Sequence, residues 1–421
     1  MRSNFSKPRG TRDILPEEME GRRKVEEAIR RVFEGYGYRE VQTPTFEHLE
    51  LITTKSGEEI RRHLYHFKDK SGREIALRPE LTAPVMRLYM EELSHTTKPV
   101  KLYYFGNCFR YERPQSGRYR EFWQAGIELI GSPYPEAEAE VIALAVYALK
   151  GIGLKFDLQI GEVGVLREIL GCSGASDEDQ AKVMNAIDKG EDIDILLTEI
   201  GIPADDRKLV YTISGLVGGK KTLEKAKKLL ENNEGVMARL ERLSRVLELL
   251  EELGVTYQLN LGIARGLDYY SGVVFEVYAQ GLGAQKQICG GGTYTLTDVL
   301  GGEPTPTCGF AFGLDRVLLA LEAQTGMAPV KKTRVLVVPT SEDLLEDAVK
   351  ICSIIREYAS CELELMRRKL SRALSYANNE GFSFVIIVGD EELERGYVVL
   401  RDMEKETQRE VNIKELHRIK F

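Results

Sequence analysis

The sequence is short of the features that mark several large classes of protein. Its longest apolar runs fall far below the roughly 20 residues that a membrane-spanning helix needs. The opening stretch, MRSNFSKPRGTRDILP, lacks the apolar core of a secretory signal, so a cytoplasmic location and no membrane partner are expected. Six cysteines are scattered without C-x-x-C spacing and only five histidines are present, which suggests neither a disulfide framework nor a zinc site. No metal ligands are therefore expected among the side chains. Internal repeats and low-complexity tracts are absent, and neither G-x-G-x-x-G nor G-x-x-x-x-G-K-[ST] occurs, so the common glycine-loop routes to a nucleotide are missing. A formal net charge of -8 argues against a chain held on nucleic acid by bulk electrostatics alone.

What is present describes an ordinary globular protein. With 421 residues, 43% hydrophobic and 29% charged, the chain is long enough for two or three domains. Pro16 opens a helix whose Val25, Ala28, Ile29, Val32 and Phe33 share one face; it ends at Gly35 to Gly37. A short strand leads to Pro44, helical spacing resumes over Thr82 to Leu93, and Lys101 to Gly106 reads as a strand. Pro135 to Leu149 reads as a helix and Leu154 to Ile160 as a strand. Between about Val165 and Leu253 the sequence turns charged and helix-forming. Leu240, Leu243, Leu247 and Leu250 make a narrow apolar stripe there, so residues 165–253 read as a helical insertion. Strand-rich sequence resumes at Tyr257, and a linker near 323–332 precedes alternating strands and helices, which imply an α/β domain of roughly ninety residues.

The most informative stretch, FRYERPQSGRYREFWQAGIE, runs from Phe109 to Glu128. If Phe109 to Glu112 and Phe122 to Ile130 are antiparallel strands, Arg110 and Glu112 share a face, as do Gln124, Gly126 and Glu128. Trp123, Ala125, Ile127 and Leu129 then lie on an apolar face. Polar groups so placed are costly to bury without a ligand, and the arrangement reads as the floor of a pocket. Arg110 suits an α-phosphate and Glu112 can accept from a purine amino group; an Arg–Glu ion pair is the structural alternative. Four further clusters carry polar or glycine patterns. In LRPELTAP, Glu80 and Thr82 precede a helix and serve either a ligand or an N-cap. In LGIARGLDYYSGVVFEVY, Arg265, Tyr269 and Tyr270 sit beside glycines at the entrance to a strand, Val273 to Tyr278, whose own alternation looks core-like. In CGGGTY, a glycine-rich strand approached by a flat ligand is the better reading. In GFAFGLDRVLLAL, Arg316 lies in the first turn of a helix, which suits an anion shared with the free amides. A second basic knot, Arg367, Arg368, Lys369 and Arg372, lies near the C-terminus.

These residues resemble the histidyl-tRNA synthetase family over nearly the whole chain. The Pro16 helix with its strand and Pro44 resembles class II motif 1, FRYE with FWQAGIE resembles motif 2, and GLDR with its helix resembles motif 3. LRPE with Thr82, and RGLDYYSG, resemble signatures specific to the histidine enzyme, while MRRKLSRALSYANNEGFSFVIIVGDEE resembles its anticodon-binding domain. The resemblance implies an α+β fold: a class II antiparallel-sheet catalytic domain over residues 1–325 carrying the helical insertion, then an anticodon-binding α/β domain over 333–421.

The same resemblance implies site roles. Glu80, Thr82 and Gln124 would hold the amino group of L-histidine, and Glu128 with Tyr270 would read its imidazole, Tyr269 and Tyr294 completing that pocket. Arg110 would bind the α-phosphate of ATP, Glu112 the adenine amino group, and Arg118 with Arg316 the outer phosphates. Arg265 would stabilise charge opposite Arg110, these two being the catalytic cations, and Mg²⁺ would bridge the departing pyrophosphate. Gln115 and Arg120 would touch the acceptor end of tRNA(His). Motif 1 implies a homodimer. Where the family usually shows GGGRYD, this chain has Thr293 and Thr295, and Leu81 stands where glycine is common. The rival reading is a catalytically inactive regulatory subunit of histidine biosynthesis; such paralogues typically lose the terminal domain and parts of RGLDYY, both of which this chain keeps.

Overall fold

The structure, a computed structural model, describes residues 5–56, 58–113, 117–263, 270–282, 286–326 and 333–418. It divides into two compact units, Met1–Met327 and Ala328–Phe421.

The first unit is built on one large sheet. Its strands in chain order are β1 (Arg39–Glu40), β2 (Val100–Phe109), β3 (Glu121–Ile130), β4 (Phe156–Glu162), β5 (Val217–Gly218), β6 (Gln258–Asn260), β7 (Tyr270–Ala279), β8 (Gln287–Tyr294) and β9 (Thr307–Gly313). Among the described residues they lie in the order β1-β2-β3-β9-β8-β7-β4-β6-β5, antiparallel except for the pairs β1 with β2 and β4 with β6.

Pleating divides the sheet into two chemically different faces. The register places Leu102 opposite Glu128, Ile127 opposite Phe310 and Phe312 opposite Cys289, so Tyr103, Phe105, Ala125, Ile127, Phe310 and Phe312 share one side. That side is covered by α1 (Pro16–Gly35), whose Phe33 ring meets those of Tyr103, Phe105, Phe310 and Phe312 at centroid distances of 5.7 to 6.4 Å. Pro16 begins α1 because its missing N–H would have no partner in the first turn anyway. The helix α3 (Pro135–Gly151), which follows the short α2 (Thr82–Leu88), packs beside α1 and is buried along most of its length, from Ala137 to Leu149. The opposite side of the sheet carries Tyr104, Gln124, Glu128, Glu276, Tyr294 and Gly309, and forms the floor of a cleft.

Several elements differ from the sequence-based expectation. β2 ends at Phe109, so Arg110 to Glu112 lie beyond the strand: the Glu112 amide turns back to the Arg110 carbonyl at 3.0 Å, which takes Glu112 out of the ladder. Thr82 is not the helix cap. The Glu80 carboxylate accepts from the amides of Thr82 (2.6 Å) and Ala83 (2.9 Å) instead. Strand β7 has the core-like alternation expected of it, with Val273, Phe275 and Val277 buried on one face, and its other face brings Glu276 and Tyr278 to the cleft. A small sheet of Phe46–His48, His66–Lys68 and Glu74–Leu77 was not foreseen; three- and four-residue strands are too short to show a period.

The insertion is helical, from α4 (Val163–Cys172) to α5 (Glu234–Glu252), but it is not a separate body. Its two-residue strand β5 joins the sheet edge, and α5 buries Leu240, Leu243, Leu247 and Leu250 in the same continuous core as the sheet. The unit's last helix is α6 (Leu314–Thr325), entered from β9 through Gly313.

The second unit is a five-stranded sheet of β10 (Arg334–Pro339), β11 (Ser360–Leu363), β12 (Phe384–Val388), β13 (Tyr397–Asp402) and β14 (Thr407–Asn412), ordered β11-β10-β12-β13-β14. Alternation in RVLVVP explains its two cores. Val335 and Val337 face α7 (Leu345–Arg356) with Ala348, Ile351 and Ile355, whereas Leu336 and Val338 face α8 (Leu370–Asn379) with Ala373 and Ala377. The second basic cluster lies at the start of α8 and just before it, where Arg368 binds the buried Glu364 carboxylate at 2.8 Å and stacks 4.1 Å from the Tyr376 ring. Among the described residues no helix is long and apolar enough to cross a membrane.

Candidate active site

The cleft encloses about 770 Å³ and is lined by residues from motif-bearing segments that are distant in the chain. Its deep end is made by the adjacent strands β2, β3, β9, β8 and β7 and by α2. Glu128 on β3 is almost completely buried, and its carboxylate accepts hydrogen bonds from the hydroxyls of Tyr294 on β8 and Tyr104 on β2, the latter at 3.2 Å. Space for this group is created by a glycine on the neighbouring strand β9 and another on β3 itself. A side chain at Gly309 would collide with the Glu128 carboxylate, and one at Gly126 would lie 2.5 Å from the Tyr104 hydroxyl.

Burial dominates the electrostatics of that end. Removal from water pushes the Glu128 carboxyl up to about 8, with the charge of Glu80 adding to the rise, while hydrogen bonds from Tyr294, Thr82 and Tyr104 pull the other way. Glu80 is also raised, first by desolvation, against the amide hydrogen bonds that favour its charged form. Gln124 lies on the same face and accepts from Cys108 Sγ at 3.3 Å. Tyr270 sits directly opposite Tyr294, ring edge to face, with centroids 6.1 Å apart. The deep end therefore offers two carboxyls, three phenols and an amide against a wall of strands. Such a set can hold a polar ring in preference to an apolar one of the same shape, which offers these groups no hydrogen bond.

The outer end is cationic. Arg110 donates to the Pro79 carbonyl at 2.9 Å and lies 5.2 Å from the Phe122 ring. Arg316 donates to the carbonyls of Gly117 (3.0 Å) and Gln287 (2.9 Å). Burial and then the neighbouring arginines lower the pKa of both Arg316 and Arg118. Three guanidinium groups gathered in one partly buried place repel each other, and a polyanion relieves that repulsion. Glu112 is paired with Arg118 across the loop, so the Arg110–Glu112 ion pair considered as an alternative does not form.

The structure brings together Glu80, Thr82, Arg110, Glu112, Arg118, Gln124, Tyr270, Tyr294 and Arg316 around the cleft, with Glu128 beneath it. Arg120 is not in its lining: its side chain turns to the carbonyls of Glu112 and Arg9 and lies 4.0 Å from the Tyr111 ring. Gln115, Arg265 and Tyr269 lie outside the described residues. In the triple glycine, Gly291 and Gly292 are approached by Phe310, Phe275 and Tyr270 of neighbouring strands, and only Gly290 lines the cleft. The strand is therefore open to the cleft at Gly290.

Several contributors escaped sequence reasoning. Tyr104 could have been found by extending the two-residue alternation of β2 across the pair to Glu128. Asp315 accepts from the Trp123 amide (2.7 Å) and from Arg12 (2.6 Å), pinning the start of α6 to β3 and to the N-terminal segment. Glu276 accepts from Tyr278 and from Gln287 Nε2. Among the described residues no group of three or more His, Cys, Asp or Glu side chains is placed to hold a metal ion.

The description of the histidyl-tRNA synthetase family matches residues 10–317, and that of the anticodon binding domain matches residues 334–419. The chain belongs to the histidyl-tRNA synthetase family. It is 49% identical over 419 residues to a histidine–tRNA ligase of Archaeoglobus fulgidus, with 99% of each chain covered. A histidine–tRNA ligase of Methanocaldococcus jannaschii is 48% identical over 419 residues, covering 98% of each. The crystal structure of histidyl-tRNA synthetase from Nostoc sp. PCC 7120 superposes with a TM-score of 0.82 at 25% identity, covering 99% of this chain and 100% of that one. Membership makes the protein a class II aminoacyl-tRNA synthetase, a histidine–tRNA ligase. The regulatory-subunit alternative is not favoured, because the relatives matched end to end carry the ligase name and the anticodon-binding segment is retained.

Proposed function

We propose that the cleft activates L-histidine with ATP and then passes histidine to the 3′ end of tRNA(His), with roles divided between its two ends. The observation that carries this division is the pairing of a buried acid, Glu128 under Tyr294 and Tyr104, with a cluster of arginines at the opposite end of one cavity. Histidine sits deep. Glu128 and Tyr270 face the imidazole, Tyr294 orients Glu128, Tyr269 belongs to the same pocket by its place in RGLDYY, and Glu80, Thr82 and Gln124 hold the amino group.

ATP enters as its Mg²⁺ complex, the ion riding on the phosphates. Arg110 takes the α-phosphate, Arg118 and Arg316 the outer ones, and Glu112 exchanges its bond to Arg118 for the adenine amino group. A histidine carboxylate oxygen attacks the α-phosphorus as the bond to the bridging oxygen breaks and pyrophosphate leaves. A ribose hydroxyl of the tRNA then attacks the carbonyl carbon and AMP departs. The protein does no covalent work, so positioning and charge stabilisation are its contributions. Arg265, from its place in RGLDYYSG, supplies the second cation at the α-phosphate, and Gln115 with Arg120 meets the tRNA acceptor end.

The protein acts in the cytoplasm as a homodimer. The small sheet that follows the first strand exposes Phe46 and Phe67, a surface suited to a second copy. Exchange of labelled pyrophosphate into ATP tests the site reading: it is expected to depend on histidine among the twenty amino acids and to vanish in Arg265→Ala with folding intact. Exchange undiminished in that variant would remove Arg265 from the mechanism.

A further inference from the structure

Two arginines on one helix of the insertion reach the back of the sheet directly behind the tyrosines of the histidine pocket. On α5, Arg239 and Arg242 are three residues apart and share a helix side. Arg242 Nε donates to Glu138 Oε1 of α3 at 3.3 Å and lies 3.0 Å from Oε2, and Thr293 donates to the same Oε1 at 2.6 Å. Arg239 donates to the Ser271 carbonyl at 3.1 Å and to Glu162 Oε1 at 3.3 Å. The second Glu162 oxygen caps α4 through the Val165 amide at 2.8 Å. Both carboxylates are buried, and both are reached from the helical insertion.

Thr293 and Ser271 each adjoin a pocket tyrosine. By the two-residue period of a strand, Thr293 points to the face opposite Tyr294, and the Ser271 carbonyl belongs to the backbone unit that follows Tyr270. Tyr270 and Tyr294 are themselves cross-strand partners. A gap in the chain's own packing accommodates one of the arms: a side chain on Gly164 would collide with the Arg239 guanidinium. Thr293 stands where the family usually has arginine, so in this chain a hydroxyl receives the insertion helix through Glu138.

We propose that Arg242, through Glu138 and Thr293, and Arg239, through the Ser271 carbonyl, are positioning residues that set the spacing of Tyr270 and Tyr294 and thereby the selection of histidine. The proposal rests on the reading of those two tyrosines as the wall of the histidine pocket. It gives the insertion a task inside the amino-acid step: α5 braces the pocket from behind, without touching substrate. A tether that only held the insertion in place would leave histidine and ATP parameters equally affected.

Pyrophosphate exchange with the full-length protein distinguishes the two. Arg242→Met, Thr293→Val and Gly164→Ala are each expected to raise the KM for histidine about tenfold while the KM for ATP stays within twofold, and Arg242→Lys is expected to restore part of the loss. Thr293→Val removes one hydroxyl and Gly164→Ala displaces only the end of a flexible side chain, so the test survives if Arg242→Met does not fold. Unchanged KM for histidine in Thr293→Val and Gly164→Ala, or equal rises for both substrates, overturns the proposal. Tyr270→Phe and Tyr294→Phe are measured alongside. If these leave the KM for histidine unchanged, the pocket reading itself fails and the proposal with it; if they raise it while the back-face variants do not, only the proposal fails.

Discussion

The Tyr294 hydroxyl donates to the Glu128 carboxylate at the closed end of the cleft, joining β8 to β3 across the intervening strand β9. This bond orients an acid that would otherwise be a buried liability, and it makes Glu128 the first residue to test. Glu128→Ala is expected to weaken histidine by about 2 to 3 kcal/mol, the scale of a hydrogen bond to a charged group, with ATP changed far less. Michaelis constants from pyrophosphate exchange read the difference, and equal weakening of both substrates would contradict the assignment.

The raised carboxyl of Glu128 predicts a particular pH response in the unliganded protein. Its folded pKa, about 8, lies above the ordinary value of 4.5, so the folded state binds more protons than the unfolded one between those limits. Stability contributed by the neutral acid is present in full below about 4.5 and is lost as pH rises towards 8. Thermal melts of Glu128→Gln across this window are expected to be flatter than those of the natural sequence. Parallel slopes would mean that the acid is ionised in the empty pocket.

Histidine binding adds a second pH test. If the complex shares one proton between Glu128 and the imidazole, affinity is level between the ordinary imidazole value of about 6.5 and the Glu128 value of about 8. Below that range free histidine must release a proton to bind, and above it the enzyme must take one up. Titration calorimetry at several pH values is expected to show affinity falling on both sides, and Glu128→Gln to lose the limb near 8. Affinity that climbs between about 6.5 and 8 and levels off above 8 would show that the charged acid receives a neutral ring.

The arginine cluster couples function to a cost in the empty protein. Arg316→Met should reduce ATP affinity by roughly 1.5 to 3 kcal/mol, the range for hydrogen bonds to charged groups, with the histidine constant little altered. Because Arg110 and Arg118 both depress the Arg316 pKa, removing its charge should leave the melting temperature of the unliganded protein unchanged or higher. The stabilisation added by ATP should shrink. A lower melting point together with unaltered ATP binding would make Arg316 a structural residue.

Arg78 is the structural counterpart. It is buried and donates to the carbonyls of Thr43 (2.8 Å), Pro44 (3.1 Å) and Asn107 (2.8 Å) and to Asn107 Oδ1 (3.0 Å), tying the segment before the small sheet to β2. Arg78→Met leaves those acceptors unpaired and should lower stability by on the order of 3 kcal/mol, read by urea unfolding. A change below 1 kcal/mol would mean that water replaces the guanidinium.

Legibility in the sequence followed the length of the pattern. Gln124 and Glu128 could be placed on one face because β3 is ten residues long and its alternation is clean. In the second unit the apolar strands VLVVP, FVIIV and YVVLRD stood out, whereas β14, TQREVN, is polar and mostly exposed and carries no such signal. The strand was expected to run on to Glu112 because no side-chain pattern announces the backbone turn that ends β2 at Phe109. Tyr104 and Glu276 were missed because their role depends on strand pairing between segments distant in the chain. The insertion's junction with the sheet, two residues at Val217 and Gly218, is shorter than any period.

Gly309 carries a consequence for how this chain can vary. The acid on β3 exists only because the next strand presents a hydrogen where every other amino acid would present carbon. Neither position can drift by itself: a methyl at 309 evicts the acid, while an apolar residue at 128 leaves a hollow beside the glycine and takes a shared acceptor from Tyr294 and Tyr104. Descendants of this sequence should therefore change these two sites together or keep both, and a library randomised at the pair should return glutamate with glycine as its active solution.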